Sequence, residues 1–118
     1  MKTIILYGYP GECEVSEQYL KEYKIQCFSE QEELVPALME TRPAAVWVIM
    51  EKAAGMEGVI AVRRIYPDLP VIWFSNDGGF APQAYRLHVN YFTLMPINED
   101  KIMTALKKCD FHAPQNIL

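Results

Sequence analysis

Five short apolar runs alternate along the chain with longer stretches in which apolar residues recur at helical spacing. The runs cover residues 3–7, 24–28, 44–50, 70–75 and 91–94. They are rich in β-branched and aromatic residues and are bounded by glycine, proline or charged positions, which is typical of strands buried on both faces of a sheet. The second run alternates apolar and polar residues and therefore predicts a weaker strand.

The stretches that follow the first two runs predict two helices. Val15, Tyr19 and Tyr23 follow one another at i, i+4 and i+8, so we expect them to form one apolar stripe on the first helix. Ser29 and Glu32 have the spacing of a capping box, in which each side chain binds the backbone amide of the other residue. This pair predicts the beginning of the second helix.

The remaining helices are predicted by apolar spacing and by residues that begin or interrupt a helix. Pro36 lies inside the second helix and is expected to kink it or delay its start. Residues 51–58 contain two glycines and predict a loop, and residues 59–65 predict the third helix. Pro82 is suited to the first turn of a short fourth helix, and Asn98 is a cap for the fifth.

Five strands that alternate with five helices predict an α/β fold with a parallel sheet and right-handed crossovers. The 118 residues are enough for one domain with a core of its own. We place this domain at residues 1–109. Residues 110–118 show no periodicity, and we interpret them as a tail or as the start of a linker to an output domain.

Charge and cysteine content exclude several classes of function. A net charge of −4 argues against nucleic-acid binding by this domain, because phosphate contacts need clustered Lys and Arg. No run approaches the roughly 18 apolar residues of a membrane span, so we expect no membrane association and a cytoplasmic location. The three cysteines, an odd number with no CxxC spacing, predict reduced thiols. No catalytic triad spacing, zinc motif or GxxxxGK loop is present, so we expect no enzyme activity and no catalytic residues.

Three segments carry a resemblance to a known family. Ala54-Gly55-Met56-Glu57-Gly58 is similar to a Pro-Gly-Met-Asp-Gly-like turn, residues 66–72 match the approach to a fourth strand, and residues 84–96 resemble a helix 4 to strand 5 segment. In this order they resemble the receiver domain of response regulators in two-component signalling, particularly receivers attached to LytTR-type or similar transcriptional outputs. The resemblance implies a flavodoxin-like (βα)5 fold with strand order 2-1-3-4-5 and a site at the carboxyl ends of strands 1, 3 and 4.

Receivers need an acceptor aspartate, an acidic pair that holds Mg²⁺, a Thr or Ser, and a Lys. At the matching positions this chain has neutral residues. Counting forward from Pro43 puts Ile49 at the acceptor position, whereas counting back from Gly55 puts Met50 there. The resemblance thus implies a degenerate phosphoacceptor pocket whose residues are Tyr7 and Gly8 in place of the acids, Ile49, Met50 and Glu51 around the acceptor, Ser75, and Met95 in place of the lysine.

Two acidic residues leave alternatives open at this pocket. Glu51 follows the acceptor position, and its carboxylate either faces solvent or, if the register slips, enters the pocket as a permanent negative charge. Glu12 either replaces one lost acid or is favoured at a helix N-terminus by the helix dipole. With no ring of carboxylates we expect no Mg²⁺ and no cofactor. Met50 and Met95 are expected to meet Tyr7 and fill the pocket with apolar side chains.

The resemblance also implies switch and interface residues. Phe92 matches the strand 5 aromatic that changes rotamer in active receivers, and Tyr85 and Lys101 are further candidates for the switch or interface. Met95-Pro96 matches a bond that is usually cis in this family, so we expect a cis peptide at Pro96.

The function implied is that of a pseudo-receiver, which signals by protein contact without aspartate phosphorylation. We expect a homodimer through the helix 4–strand 5–helix 5 face and regulation of transcription through an attached or partner output domain. A stand-alone adaptor is one alternative. Another is a small-molecule sensor in which an apolar pocket replaces the acidic one, formed by Tyr7, Tyr9, Met50, Trp73 and Met95.

Overall fold

The computed structural model describes residues 1–109, which form one five-stranded parallel sheet with helices on both faces. The strand order is β2-β1-β3-β4-β5, so the predicted flavodoxin-like fold is confirmed. Residues 110–118, predicted as a tail, lie outside the described residues. The strands are β1 Thr3–Gly8, β2 Lys24–Phe28, β3 Ala45–Ile49, β4 Val71–Ser75 and β5 Tyr91–Leu94.

Each strand is followed by a helix, and the helices divide between the two faces of the sheet. Their bounds are α1 Pro10–Glu17, α2 Gln31–Thr41, α3 Lys52–Ile65, α4 Ala81–Arg86 and α5 Glu99–Cys109. Buried residues of α1 and α5, such as Cys13 and Ile102, pack on one face, whereas those of α2, α3 and α4 pack on the other. Within the described residues, no helix is long and apolar enough to cross a bilayer.

The predicted apolar stripe of the first helix is wrong. α1 ends at Glu17, and Val15 and Tyr19 are 38% and 37% exposed. The helix buries Cys13 and Ser16 instead. Tyr19 and Tyr23 lie beyond the end of α1, and Val15 lies on its solvent side, so the three residues do not form a stripe on one helix.

The predicted capping box of the second helix does not form. Glu30 is the N-cap of α2 and makes no side-chain capping bond, while its carbonyl accepts the amides of Glu33 and Leu34. The helix begins after Ser29, so that hydroxyl is not at the capping position. Pro36 is exposed inside α2, which begins at Gln31 and continues past the proline to Thr41.

Two predicted helix beginnings are confirmed. Pro82 lies in the first turn of α4. A backbone N–H in the first turn has no partner within the helix, so proline, which lacks this N–H, suits the position. The Asn98 side chain accepts the Lys101 amide at 2.9 Å at the start of α5.

The predicted loop at residues 51–58 is wrong, because these residues form the beginning of α3 from Lys52 onward. Gly55 and Gly58 lie inside this helix, where each allows a close approach. A Cβ on Gly55 would lie 2.7 Å from Trp73 Nε1 and 2.8 Å from the Met50 carbonyl oxygen. A Cβ on Gly58 would lie 2.7 Å from the Tyr7 ring. The glycines that suggested a turn therefore serve helix-to-sheet packing.

The expectation of reduced thiols is also wrong for two of the three cysteines. Cys13 of α1 and Cys27 of β2 form a disulfide, with Cα atoms 6.5 Å apart. That separation lies within the usual range for bonded cysteines. The fold brings both residues to the end of β1, a proximity that their sequence separation of 14 does not reveal. Cys109 is free and buried.

We predict that Gly55→Ala destabilises the protein by about 1–3 kcal/mol, because the added methyl group overlaps the Met50 carbonyl and the Trp73 ring. Gly11→Ala is the matched control, since a Cβ there meets nothing within 4 Å and alanine favours a helix by roughly 0.5–1 kcal/mol. Urea denaturation measures both changes. A Gly55→Ala variant as stable as Gly11→Ala would contradict the packing described for α3.

Candidate functional site

The candidate site is the carboxyl edge of the sheet, where the ends of β1, β3 and β4 meet. Gly8 pairs directly with Ile49, and Ile49 pairs with Phe74. Ile49 is therefore the last residue of β3 and lies opposite the last residue of β1. Met50 is the next residue along the chain, before α3 begins.

Alternation along the strands sends the side chains of this edge to opposite faces. Tyr7 and Met50 pack with Trp73 in the core beneath α2, α3 and α4. Ile49 packs in the core on the α1 and α5 face, and Met95 packs against that second core. The expectation that Met95 meets Tyr7 and Met50 is therefore wrong, because successive strand residues point to opposite faces of the sheet.

Tyr7 fills the position where the resemblance places one metal-binding acid. Its side chain is almost fully buried, with the ring against Gly58. Burial raises the pKa of the Tyr7 phenol, and the carboxylates of Glu30 and Glu57 raise it further. The phenol therefore stays protonated at neutral pH.

Gly8, at the second acidic position, leaves no space for a side chain. A Cβ there would lie 2.9 Å from the Ile49 carbonyl oxygen and 3.1 Å from the Ile49 Cβ. The oxygen is backbone and cannot rotate away. A carboxylate at position 8 would therefore require β3 to move.

The residues at the strand ends do not fit Mg²⁺, which needs oxygen ligands and is usually held by carboxylates. Tyr7, Gly8 and Ile49 supply no carboxylate. Among residues 1–109, no group of three or more His, Cys, Asp or Glu side chains is placed to hold a metal ion. We therefore assign no metal-dependent step to this edge.

Ser75 has the family-compatible side chain, and its hydroxyl is occupied locally. It is fully buried, accepts the Asp77 amide at 3.1 Å and lies 3.3 Å from the Asp77 carbonyl oxygen, to which it donates. The Asp77 carboxylate in turn accepts the Gly79 amide at 2.8 Å. Ser75 thus stabilises the turn after β4.

Glu51 lies at the N-cap of α3, where it is exposed and makes no side-chain capping bond. The next residue, Lys52, has a φ of 54° and donates its amide to the Asn76 side chain at 2.9 Å. This contact ties the start of α3 to the loop after β4. The Glu51 carboxylate thus stands at the surface of the carboxyl edge.

Glu12 is half-buried and lines a cleft between α1 and the segment after β5, which begins with Met95. The cleft has a volume of about 390 Å³. One carboxylate thus stands among apolar walls. The lining residues are Glu12, Val15, Met95, Pro96 and Ile97.

The candidate switch residues lie along the β5 edge of the sheet. Phe92 is half-buried and packs edge-on against Trp73, with ring centroids 5.1 Å apart and an interplanar angle of 84°. Tyr85, near the end of α4, is 85% exposed. Lys101 Nζ donates to the carbonyls of Leu94 and Pro96. The Met95-Pro96 peptide bond is cis.

Arg63, in the last turn of α3, is a positioning residue that the sequence does not single out. Its guanidinium donates to four backbone carbonyls, two after α3 and two after α4. The distances are 3.2 Å to Tyr66, 2.6 Å to Leu69, 2.7 Å to Leu87 and 2.9 Å to His88. Backbone acceptors leave no signal in a sequence.

This contact joins the end of α3 to the loop between α4 and β5. Burial lowers the pKa of Arg63, and Asp68 opposes that effect. His88 has a φ of 55°, and its carbonyl is one of the acceptors. The Arg63 side chain therefore holds the loop from which β5 starts.

We predict that Arg63→Ala lowers the free energy of unfolding by about 2 kcal/mol, because charged donors contribute more than neutral ones. Arg64→Ala is the matched control: Arg64 is the exposed neighbour, and we expect a change within about 0.5 kcal/mol. Guanidinium denaturation compares the two. Equal effects would show that the Arg63 contacts contribute nothing beyond a surface charge.

Comparisons with known proteins find similarity in structure and none in sequence. No protein-family profile matches the chain, and no curated protein sequence matches it. The chain is similar to the N-terminal signal receiver domain of a two-component response regulator from Bacteroides fragilis, with 23% identity and a TM-score of 0.77 over 92% of this chain and 95% of that chain.

Two further solved structures are similar over nearly their full length. The chemotaxis response regulator CheY4 of Vibrio cholerae has 14% identity and a TM-score of 0.76, covering 92% of this chain and 97% of that chain. A DNA-binding response regulator of the LuxR family from Staphylococcus aureus has 17% identity and a TM-score of 0.77, covering 93% and 100%. At these identities the likenesses show the fold alone.

Proposed function

We propose that this chain, which has the fold of response-regulator receiver domains, is a pseudo-receiver that signals by protein contact without phosphorylation on aspartate. The observation that carries the proposal is the closed carboxyl edge. Ile49 and Met50 are buried there, and Gly8 lies against the backbone of Ile49. No nucleophile stands at either acceptor position, since isoleucine and methionine cannot form an acyl phosphate.

Acetyl phosphate with Mg²⁺ is predicted to leave the protein unmodified, because neither acceptor candidate carries a carboxylate. Intact mass spectrometry measures the result, and the Bacteroides fragilis receiver domain treated in parallel checks the conditions. A single-phosphate adduct mapped to Glu51, the carboxylate next to the acceptor positions, would overturn the proposal. Because Glu51 is exposed, a Glu51→Gln variant shows whether any adduct arises there.

The contact surface proposed is the face formed by α4, β5 and α5. β5 is an edge strand of the sheet, so its outer hydrogen-bonding groups face away from β4. Tyr85 and Leu94 are large exposed apolar residues on α4 and β5, and Met103 is another on α5. Grouped exposed apolar side chains favour protein association, and a second copy of the chain presents the same face.

Tyr85→Glu is predicted to shift the protein from dimer to monomer, because it places a charge on the most exposed apolar side chain of the proposed contact face. Met39→Glu is the matched control, since Met39 is 63% exposed on α2, on the opposite edge of the molecule from α5. Sedimentation velocity measures both variants and the unmodified chain. A monomeric unmodified chain, or equal loss of dimer in both variants, would exclude this interface.

Control of transcription through an output domain, attached or separate, remains part of the proposal. It is supported by the similarity of residues 84–96 to receivers with transcriptional outputs and by the fold shared with a DNA-binding response regulator of the LuxR family. We propose no enzyme activity for the domain. A stand-alone adaptor would use the same contact face without an output domain.

Binding of a small molecule is a second candidate function. The site that we propose for it differs from the apolar pocket that the sequence predicted. Tyr7, Met50 and Trp73 pack tightly together, and Tyr9 is exposed, so these residues do not line a common pocket. The cleft beside Glu12 has a volume within the range of ligand sites. Apolar walls and one carboxylate favour a small organic amine with an apolar body.

Phenethylamine is predicted to raise the melting temperature of the protein, because a ligand that binds the folded state stabilises it. The neutral analogue 2-phenylethanol lacks the charge that would pair with Glu12 and should have no effect. Glu12→Gln should abolish the shift, whereas Glu14→Gln, at an exposed position of the same helix, should keep it. Equal shifts with the amine and the alcohol, or none with either, would exclude an amine site.

A further inference from the structure

The disulfide between Cys13 and Cys27 links α1 to β2 at the carboxyl edge of the sheet. Its two sulfurs lie 3.6 Å and 3.8 Å from the carbonyl oxygen of Gly8, the last residue of β1. The bond therefore stands beside the strand end where the resemblance places a metal-binding acid. None of the functions proposed above uses this disulfide.

The two sulfurs differ in their access to solvent. Cys27 is exposed, whereas Cys13 is only 3% exposed under α1. An attacking thiolate therefore has better access to the Cys27 side of the bond, which is part-buried, than to the Cys13 side, which is buried. Cys109 does not take part in this exchange, because its thiol is buried and stays protonated. Burial raises the pKa of the Cys109 thiol to about 11, and a hydrogen bond with Trp47 lowers it only in part.

The disulfide is a main attachment of α1. This helix has eight residues, of which it buries Cys13 and Ser16 alone. It ends at Glu17 and has no basic residue in its last turn. A helix of this length has little stability of its own in water, so its position depends on tertiary attachment.

α1 also supplies one wall of the cleft described above. Glu12 and Val15, on either side of Cys13, face the segment that holds Met95 and Ile97. A change in the attachment of α1 therefore changes the distance between the two walls of the cleft.

We propose that Cys13–Cys27 is a thiol–disulfide exchange site whose redox state sets the attachment of α1 and the shape of the cleft beside it. The reductant is a thiol compound such as glutathione or a dithiol protein. The proposal is independent of phosphorylation and of the dimer face.

The exchange takes place in two steps. A thiolate of the reductant attacks Cys27 Sγ, the bond to Cys13 breaks, and the Cys13 thiolate takes a proton from water. A second thiolate then attacks the reductant sulfur of the mixed disulfide and releases Cys27 as a thiolate, which is also protonated. Two electrons pass to the protein, and the reductant leaves as a disulfide. Either new thiol can then donate to the Gly8 carbonyl, which both sulfurs already adjoin.

Redox titration of the full chain in glutathione buffers tests the chemistry. After acid quenching, denaturation and treatment with N-ethylmaleimide, the oxidised protein should carry one adduct and the reduced protein three, since the chain has three cysteines. The proposal expects a reversible passage between these masses as the glutathione ratio changes. A protein that stays at one mass across all ratios would overturn it.

Hydrogen–deuterium exchange tests the consequence. Reduction should speed amide exchange in α1 roughly tenfold or more, while β3 and β4 keep their protection, because loss of the cross-link frees one local element. Cys27→Ser, which cannot form the bond, should match the reduced protein and should not respond to reductant. Unchanged exchange in α1 after complete reduction would overturn the proposal. Because the unmodified chain provides both redox states, this result does not depend on the folding of the variant.

Discussion

The contact of α3 with the rings of Tyr7 and Trp73 is the constraint on which the rest of the carboxyl edge depends. Gly55 and Gly58 allow the helix to lie so close to the sheet that any side chain at either position would meet an aromatic ring. The helix begins at Lys52, two residues after Met50, with Glu51 as its N-cap. Where the resemblance to receivers implies an open, charged pocket, this edge has buried apolar side chains that pack into the cores on the two faces of the sheet.

Because the carboxyl edge is closed, the surfaces that we propose for function lie at the two lateral margins of the sheet, one beside β5 and the other beside α1 and β2. On one side, Arg63 holds the loop that leads into β5, and the exposed Tyr85 stands next to that loop. On the other side, the disulfide links α1 to β2, and α1 supplies one wall of a cleft. The first margin is positioned by hydrogen bonds from Arg63 to backbone carbonyls, and the second is positioned by a covalent bond.

Much of the fold could be predicted from the sequence, because each buried strand is a continuous apolar run and each crossover contains a helical pattern. The order of the strands came from the resemblance to receivers. The start of α3 could not be predicted, since Gly55 and Gly58 are typical of turns and their use in close packing depends on rings that are distant in sequence. The apolar stripe predicted on α1 was wrong for another reason, since the spacing does not show that the helix ends at Glu17.

The sequence predicted which residues lie at the candidate site, but it did not predict which of their side chains contact one another. Tyr7 and Met50 do lie together at the strand ends, but Met95 packs on the opposite face of the sheet. The Arg63 contacts use backbone acceptors, and the Cys13–Cys27 bond joins elements that meet only in three dimensions. The spacing of residues in a sequence indicates neither kind of contact.

The central claim is that the carboxyl edge is a closed apolar core and not an acceptor site. Titration of the isotopically labelled protein with Mg²⁺ and then with beryllofluoride, followed by NMR of the backbone amides, tests it most directly. We predict no saturable shifts at Gly8, Ile49, Met50 and Ser75. Saturable shifts confined to these residues would show that the edge binds a metal and a phosphoryl mimic, and would contradict the account.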